Sequence, residues 1–146
     1  MDAITNYLAP DHQRCDDLFY LAEATALRGD WERASEKFKA FIAAMSHHFA
    51  MEEEVLFPAY EQRMGHPGGP PGIMRMEHGQ MRELFDTLSQ ALAARDTRAY
   101  AGASETLLIL MQQHNLKEEQ MLYRMCDQML APQSAELIDR MNRIAA

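Results

Sequence analysis

The sequence predicts an all-α fold, an up-down-up-down four-helix bundle closed by a short C-terminal fifth helix. Three observations lead there. Apolar residues recur at spacings of three and four along nearly the whole chain, and no window sustains the alternation of a strand. One long breaker, GHPGGPPG at residues 65–72, divides the pattern in two. The two parts on either side of it are copies of each other at an offset of 66 residues.

The elements follow in order. The first helix is predicted from Pro10 to Leu27, with Cys15, Leu18, Phe19, Ala22 and Ala26 on one stripe and a proline suited to a first helical position. Gly29 closes it, and Asp30 can cap a long second helix from Trp31 to about Met64, apolar at Phe38, Phe41, Ile42, Met45, Phe49 and Leu56. Pro58 should kink that helix or end its regular part, because it removes a backbone donor and crowds the preceding turn. The third helix is expected from about Ile73 to Ala94, and the fourth from about Thr97 to Leu130 behind an Asp96 cap. Ser134 can then cap the fifth, whose Leu137, Ile138, Met141 and Ile144 would close one end of the bundle. Hairpins over about 10–64 and 73–130 thus make up one domain across residues 1–146.

Composition limits the function. The chain is 47% hydrophobic and 25% charged, ordinary for a globular protein. Its formal charge of −8, with no lysine and arginine cluster, argues against nucleic acid and against an anionic membrane surface. The N-terminal MDAITNYLAPDHQ has no basic and then apolar signal pattern, and no run approaches a membrane span, so a cytoplasmic location is expected. Cys15 and Cys126 are too few and too far apart for a zinc motif or a disulfide framework, and reduced thiols are expected. Small molecules, metals and protein partners remain.

The repeat carries the chemistry. An offset of 66 places His12 on His78, Asp30 on Asp96, His48 on His114, Glu52 on Glu118, Glu53 on Glu119, Leu56 on Leu122 and Phe57 on Tyr123. DHQRCDDLF lies over EHGQMRELF, and HFAMEEEVLF over HNLKEEQMLY. Within each copy the aspartate stands 18 residues from the histidine on either side. If the chain climbs one helix, turns at the aspartate and descends the next, equal counts at about 1.5 Å per residue return it to the same height. Two such hairpins packed as a bundle bring four histidines into one layer.

That layer has to be compensated. His48 and Glu52, like His114 and Glu118, stand at i and i+4 on an apolar stripe, so each pair faces inward one turn apart. Buried carboxylates and imidazoles are costly unless something neutralises them, and a cation does this best. Imidazole with carboxylate, without thiolate, suits iron, manganese or zinc. Six donors, His12, His48, Glu52, His78, His114 and Glu118, exceed what one tetrahedral zinc uses, which favours two ions.

These residues, with the continuations EEEVLFP and EEQMLYR, resemble the hemerythrin-like (HHE cation-binding) family over about Pro10 to Leu130. The resemblance implies a four-helix bundle holding a non-haem di-iron centre, oxo- or hydroxo-bridged, with Glu52 and Glu118 bridging. His12 and His48 would serve one iron, and His78 and His114 the other; manganese or zinc are the alternative metals. Oxygen-carrying members place a further histidine one turn along the third helix, where this sequence has Arg82 after His78 and Met74 before it. The balanced set is more similar to the di-iron proteins that repair iron centres under nitrosative and oxidative stress, although their cysteine-bearing N-terminal domain has no counterpart in these residues.

The other conspicuous residues have plainer readings. Glu53, Glu54 and Glu119 point about 100° or more away from the ligand stripe, so a solvated or salt-bridged face is expected ahead of a role in orienting the ligands. His47 reads as a surface residue, His66 as part of the loop, and Cys15 and the methionines as core filler. Asp11 and Glu77 precede His12 and His78 and could orient them or lie exposed in solvent. Two functional classes follow. One is a module that binds or senses dioxygen or nitric oxide in a stress response or in iron handling. The other is an enzyme that reduces peroxide or nitric oxide, oxidises ferrous iron, or donates iron for the repair of iron-sulfur centres. Nothing in the sequence specifies an organic substrate, an oligomeric state or an electron donor.

Overall fold

The computed structural model describes residues 2–145, and nearly all of them are helical. α1 spans Ala3–Leu27 and α2 Trp31–Met51; a π-helical turn, Glu52–Leu56, runs on into α3, Phe57–Met64. Beyond the loop come α4, Pro70–Ala94, and α5, Thr97–Lys117; a second π turn, Glu118–Leu122, runs on into α6, Tyr123–Met129. A 3-10 turn, Ala131–Gln133, precedes α7, Ser134–Asn142. The four long antiparallel rods are α1, α2–α3, α4 and α5–α6. α1 packs chiefly on α2 and α4 on α5, while α1–α5 and α2–α4 contacts join the hairpins.

The two hairpin turns are built alike. Asp30 accepts the Arg33 N–H at 3.4 Å, and Asp96 accepts the Ala99 N–H at 3.0 Å, as N-caps should. The residue before each aspartate is left-handed, Gly29 with φ 76° and Arg95 with φ 51°, and the bonds Asp30 N to Thr25 O and Asp96 N to Ala91 O close matching turns. Glycine adopts that conformation freely, whereas arginine does so at a cost of roughly 1–2 kcal/mol.

Two helix starts expected from the sequence need correction. α1 begins at Ala3, so Pro10 lies inside it. Ile4 and Leu8 are fully buried, and at about 1.5–3 kcal/mol each they offset the ~3 kcal/mol that an interior proline costs. Asp127 of α6 also serves as a cap from outside, accepting Ile4 N–H at 2.7 Å and the Thr5 hydroxyl at 2.5 Å. α4 begins at Pro70 rather than Ile73, because Pro70 and Pro71 take first-turn positions that need no N–H donor. Pro58 falls at the start of α3, directly after the π turn that ends the regular part of the second helix, as expected, and the rod runs on to Met64.

The core falls into two apolar clusters with a polar layer between them. One, near the hairpin turns, includes Phe19, Phe41, Phe85, Leu88, Tyr100 and Leu107. The other includes Ile4, Leu8, Leu56, Phe57, Leu122 and Leu130, and α7 covers it with Leu137 and Met141. The loop 65–69 is latched by Glu61, which takes both terminal nitrogens of Arg75, at 2.6 and 2.7 Å, and the Gly68 N–H at 2.8 Å. Among the described residues, no helix is long and apolar enough to cross a membrane.

Candidate metal centre

All six candidate ligands meet in the layer between the clusters. His12 comes from α1, His48 from α2, His78 from α4 and His114 from α5, while Glu52 and Glu118 open the two π turns. None is more than 5% exposed. They form two tetrads that share the carboxylates: His12, His48, Glu52 and Glu118, and Glu52, His78, His114 and Glu118, with the donor atoms of each within 4.8 Å of one another. Glu52 Oε1 stands 3.5 Å from His48 Nε2 and 3.2 Å from His78 Nε2. Glu118 Oε1 stands 2.9 Å from His12 Nε2 and 3.3 Å from His114 Nε2. Each carboxylate therefore reaches both histidine pairs.

Four further carboxylates hold the rings from behind. His12 Nδ1–H donates to Glu119 at 2.6 Å, His48 to Asp11 at 2.8 Å, His78 to Glu53 at 2.6 Å and His114 to Glu77 at 2.8 Å. A proton held on Nδ1 leaves the Nε2 lone pair facing the layer, the state a metal ligand needs. Arg14 binds Asp11, Arg82 binds Glu53 and Lys117 binds Glu77, tying three of the four carboxylates in turn.

Glu53 is salt-bridged to Arg82, as one of the expected readings had it, but Glu53 and Glu119 also hold histidines, which α-helical geometry does not predict. Each lies in a π turn, closed by Phe57 N–H to Glu52 O and by Tyr123 N–H to Glu118 O. The wider turn lets consecutive glutamates face inward, one towards the layer and the next towards a histidine of the other hairpin. Asp11 and Glu77 orient histidines, but those of the neighbouring helix rather than their own. Arg82, at the place of the missing third-helix histidine, points outward to Glu53 and covers the Phe49 ring at 5.0 Å. His47 is half-buried and donates from Nε2 to Ile144 O at 3.1 Å, bracing the segment after α7, so it is no plain surface residue. His66 and Glu54 are exposed and Cys15 is buried, as expected. Burial pushes the Cys15 and Cys126 thiols up to about 12.

Tyr123 is the functional residue that sequence reasoning missed. In an α-helix a residue five positions on lies roughly 140° round the axis; the i to i+5 turn brings it back towards the face of Glu118. Its hydroxyl donates to Glu52 Oε2 at 2.7 Å and lies 3.0 Å from Glu118 Oε1. Its repeat partner Phe57 has no hydroxyl and stacks on His78, at 5.8 Å between centroids.

The donor set fits a pair of cations. Glu52 Oε1, Glu118 Oε2, His78 Nε2 and His114 Nε2 are buried without a hydrogen bond, although lone pairs so placed are costly unless something positive lies between them. Protons are the substitute available to the chain itself. Burial disfavours a charged His48, but Glu52 and Asp11 outweigh it and hold the ring up to about 10. Against the same penalty, Glu118 and Glu52 hold His114 up to about 9.

Residues 3–126 match the model of the family described as Hemerythrin HHE cation binding domain. No curated protein and no solved structure matches the chain.

Proposed function

Because the chain belongs to the hemerythrin HHE cation-binding family, we propose that it is a non-haem di-iron protein that binds dioxygen or nitric oxide. The observation that carries this reading is the pair of buried tetrads with four polar atoms left unpaired. His12 and His48 would hold one iron, His78 and His114 the other, with Glu52 and Glu118 available to both. When bound, the iron pair would supply a redox-active centre for a small ligand. The protein's part is to orient and to exclude. The carboxylates on Nδ1 keep every imidazole in one tautomer, and the apolar clusters on both sides keep bulk water out. Burial of all six donors favours a diatomic ligand or peroxide over an organic substrate.

Anaerobic titration of the reduced, iron-loaded protein with dioxygen and with nitric oxide, followed by visible absorption, tests this. Saturation at a fixed ratio of ligand to protein, without turnover when reductant is in excess, is the expected result. Continuous consumption of dioxygen, nitric oxide or peroxide with reductant would replace the binding module with a di-iron enzyme. No spectral response to any of them would refute both.

A further inference from the structure

The two tetrads are not equivalent, and the difference is one hydroxyl. Tyr123 Oη lies within 3.3 Å of a donor atom from every member of the first tetrad: Glu52 at 2.7 Å, Glu118 at 3.0 Å, His12 at 3.2 Å and His48 at 3.3 Å. The second tetrad has only the Phe57 and Phe49 rings stacked on His78, and the Nε2 atoms of His78 and His114 make no hydrogen bond.

Building on the di-iron reading, we propose that Tyr123 is a fifth protein ligand to the ion held by His12 and His48, leaving the ion held by His78 and His114 as the open one. An ion bound to all four donors of the first tetrad, at about 2.0–2.2 Å from each, falls beside the place Oη occupies. Oη must then bond to it or leave. Leaving is obstructed. The ring is fully buried, it stacks near His12 at 5.6 Å, and it is anchored at the end of a π turn. Bonding needs only a small shift: the phenol O–H gives its proton to solvent, the oxygen-to-iron bond forms, and no electron moves. A phenolate oxygen is a hard donor suited to ferric iron. The placement also gives the repeat a purpose for its asymmetry, since Phe57 at the matching position can offer no such bond.

Resonance Raman and visible spectra of the ferric, iron-loaded protein test this, with iron content measured on the same samples. The wild type is expected to show phenolate-to-iron charge transfer and tyrosinate modes that move when ring-deuterated tyrosine is incorporated. Of the five tyrosines, only Tyr123 hydrogen-bonds to the candidate ligands, so the isotope experiment is informative even if a variant fails to fold. Tyr123→Phe should abolish the band and keep about two irons per chain by the six-donor count. Two irons in the wild type with no such band would overturn the Tyr123 assignment and leave the di-iron reading standing. A wild type that takes up no iron would overturn both.

Discussion

Replacing Glu53 by glutamine tests whether the carboxylates behind the histidines control the centre. Glu53 takes the His78 Nδ1–H at 2.6 Å, a short charge-assisted bond, while His78 itself is fully buried. Losing such a partner weakens metal binding by about 10–100-fold, equivalent to about 1.4–2.8 kcal/mol. A hydrogen bond to a charged group, at about 1.5–3 kcal/mol, gives a similar figure. Glu54 supplies the control: it is adjacent, equally acidic and exposed. Competition with a chromophoric chelator measures both variants against the wild type. Glu53→Gln should weaken one of the two sites by that factor, with Glu54→Gln within about twofold of the wild type, as expected of a surface change. A folded Glu53→Gln protein that binds both ions as tightly as the wild type would refute the argument.

Four other outcomes follow from the same geometry. Asp127→Ala removes the external cap of α1 and should cost about 1–2 kcal/mol, a fall in Tm of roughly 2–8 °C by thermal unfolding. Cys15 and Cys126, buried and held near 12, should resist a thiol-disulfide reagent at neutral pH and react only in denaturant. Removing metal should lower stability by about 4 kcal/mol for each ion lost, relative to protein kept at a thousandfold excess over Kd. The stripped protein should also weaken as pH rises. The folded pKa values of His48 and His114 stand above their ordinary 6.5, so their contribution is complete below that value and is lost through about 9 to 10, as denaturant titrations across pH would show.

The sequence made the layer legible because one offset repeats six donors and both caps, and equal arm lengths put the histidines at one height. All six meet in the structure as that reasoning requires. The π turns were not legible. EEEVLF and EEQMLY fit an α-helix as well as a wider turn, and α-helical geometry turns Glu53, Glu119 and Tyr123 away from the site. The early start of α1 was hidden by the weight given to Pro10, against two buried residues and a partner 123 positions along the chain. Asp11 and Glu77 were visible as acids beside histidines, but which ring each serves depends on how neighbouring helices face each other.

The most direct test of the central claim is bound metal, element by element, per chain, in protein purified anaerobically from iron-replete cells. About two irons per chain, falling well below one in Glu52→Ala and His114→Ala proteins that remain helical, is the result this account predicts. Less than about a tenth of an equivalent of any metal in a folded wild type would contradict it.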